Sequence, residues 1–263
     1  MVLLRDLDPA DWARPTVCPG WDVADLVAHV AGDDLGRLAR GRDGVDARTP
    51  APGEDLPAFL DRVNGEWVAA TRHLGPRVLT DLVDWSGAQV ATHWEAIDLG
   101  ASADVSWAGV EGPVAWMDLA RDYTEYWIHE QQVREATGRP GSKPAEVATV
   151  VGVLARGLPF ALRAVPGHDG DAVVVTAADL GSSWAVEHRA GRWWVADPPP
   201  GGPGTAGGAH VVASVRAPGA LLWRRWSRHP LGDRATLVAG GTGDPSAVAA
   251  VADHLAIIRP ADT

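Results

Sequence analysis

The apolar positions of the first half of the chain recur at helical spacing, and loops rich in Pro and Gly cut them into separate runs. Residues 2–12 read as the tail of a helix. After the Pro19-Gly20 turn, Leu26, Val30, Leu35 and Leu38 form a helical stripe. Asp22 is a good N-cap for it, and the Asp25 carboxylate at N3 suits the positive helix end. Trp21 before the cap and Leu26 after it are placed for a hydrophobic staple. Helical patterns resume over 56–74 and 77–99, and residues 100–113 read as a long connection. A strong amphipathic helix then spans 114–137, ending at Gly138-Arg139-Pro140-Gly141. Four helical segments with one long connection predict an antiparallel four-helix bundle.

The pattern changes near residue 142. A helix over 144–164 precedes a strand at 172–177, and SWAVEHR and RWWVAD flank Ala190-Gly191 as a β-hairpin. Residues 198–208 are too rich in Gly and Pro for regular structure. HVVASVRA reads as a strand, ALLWRRWSRH as a short helix and RATLVAG as a strand. DPSAVAAVADHLAII closes the chain as a helix, with Asp244 as N-cap and Pro245 at N1. The chain is therefore expected to be α+β overall, in two domains: a helical one over 1–141 and a smaller α+β one over 142–263.

Composition narrows the function. Of 263 residues, 46% are hydrophobic and 22% charged, a globular balance. No stretch approaches the roughly 20 apolar residues of a membrane span. Acidic residues follow Met1 closely, unlike a signal peptide, and Cys18 is the only cysteine. A cytoplasmic protein without disulfides or membrane contact is expected. The net charge of −11 is uneven: 24 acids face 12 arginines over 1–141, against 10 acids and 11 basic residues over 142–263. An acidic half repels a phosphate backbone, which argues against nucleic acid as the partner. A monomer or homodimer acting on small molecules is the expected form.

The sharpest local feature is Glu125-Tyr126-Trp127-Ile128-His129. Residues four apart share a helix face, with Cβ atoms roughly 5–6 Å apart, so a carboxylate and an imidazole can meet one ion. Alone, this spacing equally describes a surface ion pair. His29 lies among small and apolar residues, where a lone histidine reads as a core residue bonded to a backbone carbonyl. Taken together, His29 from one helix and Glu125 and His129 from another supply three ligands and leave one position open, the arrangement of catalytic zinc. Asp25, one turn before His29, is placed to orient its ring. Cys18 reads as a buried, inert thiol. His73, His168, His188, His210, His229 and His254 fall at element ends or in loops and are expected to be mostly exposed. Trp21, Trp67, Trp94 and Trp127 are expected between bundle helices.

Residues 15–29 (PTVCPGWDVADLVAH) and 123–140 (YTEYWIHEQQVREATGRP) together resemble the two signatures of the mycothiol-dependent maleylpyruvate isomerase family. The resemblance implies a DinB-like metal-binding four-helix bundle followed by a smaller α+β domain of SCP2-like type. It implies zinc held by His29, Glu125 and His129, with mycothiol, a low-molecular-weight thiol, as cosubstrate and a small electrophile as substrate. The reaction would be cis–trans isomerisation or S-transfer. The family's C-terminal domain has an apolar helical run ending in Gly-Arg. Here the run is Leu221–Arg228, with Ser227 in place of the glycine and Arg228 at the position implicated in catalysis. Three arginines within five residues favour a solvated helix end over a substrate-binding Arg228. A non-catalytic metal- or ligand-binding sensor on the same fold is the alternative function.

Overall fold

The computed structural model describes residues 2–45, 48–103, 114–196 and 210–256. Two compact units emerge, one holding the described residues up to Gly141 and the other those from Ser142 onward.

The first unit is helical: α1 (Val2–Arg5), α2 (Val23–Arg37), α3 (Leu56–Thr71), α4 (Pro76–Glu95) and α5 (Ala115–Ala136). The expected N-terminal helix tail is short, and a separate 3-10 turn at Asp11–Ala13 follows it. The Asp22 carboxylate caps α2 by accepting from the Asp25 amide at 2.9 Å. A π turn at Leu38–Arg42 extends α2. Gly20, at φ +77°, turns the preceding loop, which doubles back so that Pro15 pairs with Asp22. Gly138, at φ +66°, ends α5 as a left-handed cap. The core gathers Trp12, Val23, Leu26, Val27, Ala31, Leu79, Val83 and Val133, with Trp21 packed against it. Apolar burial of α2 against three other helices is what holds the unit together.

The second unit is mixed: α6 (Pro144–Ala155), α7 (Leu158–Ala161), β1 (Asp171–Ala177), β2 (Ser182–Arg189), β3 (Arg192–Ala196), β4 (His210–Arg216), α8 (Gly219–Trp226), α9 (Arg234–Ala239), β5 (Gly241–Gly243) and α10 (Pro245–Asp253). The sheet order is β3-β2-β1-β4-β5, with only β1 and β4 parallel. Ala190 and Gly191 both have positive φ, as a two-residue I′ hairpin requires.

Two expectations are corrected. The helix over 144–164 is interrupted at Arg156–Gly157, ahead of Pro159 in α7. RATLVAG is α9 and not a strand: the Asp233 carboxylate accepts from the Ala235 and Thr236 amides and starts a helix there. The strand follows it, at Gly241–Gly243. Residues 198–208, most of 100–113 and the end of the closing segment lie outside the described residues. Among the described residues, no helix is long and apolar enough to cross a membrane.

Candidate metal centre

Helices α2 and α5 meet along a ladder of contacts that rises in one and falls in the other, so they run antiparallel. At one end the Arg37 guanidinium donates to both Asp118 and Asp122, at 2.6–3.1 Å. These partners outweigh the cost of burying Arg37 and hold its pKa above the ordinary value. Trp94 of α4 joins by donating from Nε1 to Asp122 at 3.1 Å. One turn on, the Tyr126 hydroxyl donates to Asp34. At the far end the rings of His29 and His129 meet edge to face, with centroids 4.8 Å apart. The ion-pair network thus sets the register that brings two imidazoles from separate helices together.

Each ring has a carboxylate four residues away. His129 Nε2 stands 3.5 Å from Glu125 Oε2, and His29 Nε2 stands 3.3 Å from Asp33 Oδ2. Trp21 packs on the other side of His29, centroid to centroid at 5.1 Å. Burial, with the nearby His129, pushes the His29 pKa down to about 3 against the pull of Glu125, so its ring is neutral in the folded chain. Burial works against charge on His129 and Glu125 too. Their mutual contact outweighs it, raising the His129 pKa and lowering that of Glu125. Burial and the Glu125 charge push Asp33 up.

The donor chemistry fits a divalent ion of the zinc type: two imidazoles, one held neutral, and carboxylate oxygen. At metal–ligand bonds of roughly 2.0–2.2 Å and a tetrahedral angle, two ligand atoms stand about 3.3–3.5 Å apart and two imidazole centroids about 5 Å apart. The His129–Glu125 contact at 3.5 Å and the ring centroids at 4.8 Å lie near those values, which an ion pair and an edge-to-face ring contact share. Among the described residues, however, no group of three or more His, Cys, Asp or Glu side chains is arranged so that it could hold a metal ion. Each ring is instead turned to its own helical neighbour, His29 to Asp33 and His129 to Glu125.

The expected orienting role of Asp25 is not observed. Its carboxylate receives Arg72 of α3, at 3.0 and 2.9 Å, and so ties α2 to α3. Asp33 and Gln132, which sequence reasoning missed, are the polar neighbours of the two rings. The available signal was their spacing of four and three residues from His29 and His129. Cys18, expected to be buried, is half-buried, and burial raises its thiol pKa. His188, His229 and His254 are buried, against expectation, each packed edge-on against a tryptophan.

Arg228 belongs to the second unit, just beyond α8, with an exposed side chain and φ +60°. That left-handed backbone closes α8 as its C-terminal cap, with the His229 amide donating to the Arg224 carbonyl at 2.9 Å. Ser227, which replaces the family's glycine, has φ −105°, so the substitution costs nothing in the backbone.

Comparison with known proteins bears on the fold and the family. Two uncharacterized proteins of Mycobacterium tuberculosis, from strains H37Rv and CDC 1551, are each 27% identical over 182 residues, covering 67% of this chain and 68% of theirs. Crystal structures of a mycothiol-dependent maleylpyruvate isomerase and of its histidine-to-alanine mutant share the fold. Their TM-score is 0.50 at 17% and 16% identity, over 86% of this chain and 82% of theirs. Residues 2–134, just over half of the chain, match the family described as the mycothiol maleylpyruvate isomerase N-terminal domain, and the chain belongs to that family.

Proposed function

We propose that this protein is a metal- and thiol-dependent enzyme of the maleylpyruvate isomerase type. One divalent ion, zinc by its donor set, is held by His29, Glu125 and His129. The observation that carries this reading is the meeting of His29 and His129 from separate helices, 4.8 Å apart, with Glu125 beside them. Held there, the ion would supply Lewis-acid chemistry that lowers the pKa of a low-molecular-weight thiol toward neutral pH.

The chain's own residues do the rest. His29 presents a neutral ring, so it offers a lone pair without first losing a proton. Trp21 walls that ring on one side. Arg228 offers a guanidinium suited to bidentate recognition of a substrate carboxylate. In the isomerase-type reaction the thiolate sulfur adds to one carbon of a conjugated cis double bond, whose electron pair moves onto the conjugated carbonyl. Rotation about the new single bond follows. The C–S bond then breaks, restoring the double bond as trans and releasing the thiolate. With other conjugated electrophiles, the enolate left by the addition takes a proton from solvent at carbon, and the thioether is released as the product of S-transfer.

Elemental analysis of the purified chain tests this, alongside thiol-dependent turnover of maleylpyruvate and a panel of electrophiles. The expected result is one divalent ion per chain, lost together with turnover in His129→Ala. Turnover in Arg228→Gly is expected to fall roughly 10-fold or more, as loss of a charge-assisted hydrogen bond implies. Absence of a stoichiometric ion would overturn the metal reading. An ion that raises the melting temperature while no thiol or electrophile is turned over favours the non-catalytic sensor instead.

A further inference from the structure

Gln132 lies one turn beyond His129 on α5 and is buried. Its Oε1 stands 2.8 Å from His129 Nδ1, the best-formed hydrogen bond that ring makes. The same oxygen accepts from the Cys18 thiol at 3.5 Å, so the amide turns its oxygen toward both groups. An amide oxygen only accepts. The His129 Nδ1 therefore carries a proton, and in the neutral ring Nε2 keeps its lone pair. That nitrogen faces Glu125 Oε2 at 3.5 Å, a longer contact than the 2.8 Å hydrogen bond at Nδ1.

We propose that Gln132 is a positioning residue that fixes the Nδ1–H tautomer of His129 and leaves Nε2 as the ligand atom. The proposal rests on the metal reading above and deepens it. A partner that holds the second ring nitrogen of a ligating histidine commonly contributes 10- to 100-fold in metal affinity.

The test uses the full chain as wild type, Gln132→Leu and Gln132→Glu. Zinc affinity is measured by competition with a chromophoric chelator. The His129 tautomer is read from nitrogen–proton correlation spectra of the metal-free protein at pH 9. Wild type is expected to show Nδ1–H. Gln132→Leu is expected to lose that preference and bind zinc about 10- to 100-fold more weakly. Gln132→Glu restores an acceptor and is expected to bind at least as tightly as wild type. An Nε2–H tautomer in wild type overturns the proposal. So does equal zinc affinity in wild type and Gln132→Leu, or an equal loss in both variants. If wild type takes up no zinc the metal reading fails, while the tautomer spectrum still decides what Gln132 does to the ring. If Gln132→Leu does not fold, the wild-type spectrum and Gln132→Glu decide.

Discussion

Asp34 is buried between Ser86 Oγ, which donates to it at 2.6 Å, and the Tyr126 hydroxyl. Burial outweighs the Ser86 hydrogen bond and, with Asp122 nearby, raises its pKa to about 7. An unfolded aspartate titrates near 3.9, so between about pH 4 and 7 the native chain holds a proton that the unfolded chain has released. Stability from this group is therefore present at the acid side and falls as pH rises through that window. Urea unfolding at pH 5 and pH 7.5 checks it: wild type is expected to lose roughly 1–3 kcal/mol relative to Asp34→Asn between the two. Parallel losses in the two proteins would show that Asp34 is ionised in the fold. At this scale His29, Glu125 and His129 were legible because their motifs are local. Asp25 and Asp33 sit symmetrically, four residues either side of His29, and spacing does not distinguish them. Arg72, 47 residues from Asp25 in sequence, takes Asp25 and leaves Asp33 beside the ring.

Helices α2 and α3 pack through Gly32 and Trp67. The indole Nε1 donates to the Ala28 carbonyl at 2.6 Å, and a Cβ at position 32 would lie 2.5 Å from Trp67 Cδ1. That atom is close to the root of a rigid ring and has little freedom to yield. Gly32→Ala gains helix propensity of about 1 kcal/mol but forces this contact apart, so a net destabilisation of roughly 1–3 kcal/mol is expected in chemical denaturation. A neutral or stabilising effect would mean that α3 is free to move away from α2. The long elements were legible because their apolar periodicity is sustained over many residues. Short ones were not. In residues 234–239, Leu237 is buried and Val238 exposed, a pattern that suits a strand as well as a helical turn. The Asp233 cap settles it as a helix.

Each of the two units has its own buried residues, and the site's three expected ligands all fall in the first. A ligand that binds only the native form stabilises the part it binds. In scanning calorimetry, zinc is expected to raise the transition of the unit containing α2 and α5. Leu237→Ala, at a fully buried position of the second unit, is expected to lower the other by about 2–5 kcal/mol. A zinc shift that follows the Leu237→Ala transition would place the ion elsewhere. The sequence by itself determined the α+β class, the major helices, the hairpin at Ala190-Gly191 and the family, because periodicity, caps and motifs are encoded within short stretches of chain. Tertiary structure alone decided which carboxylate stands beside His29 and which amide stands beside His129. Those partners are chosen by side chains distant in sequence: Arg72 draws Asp25 away, Arg37 joins Asp118 and Asp122, and Cys18 shares the amide oxygen of Gln132.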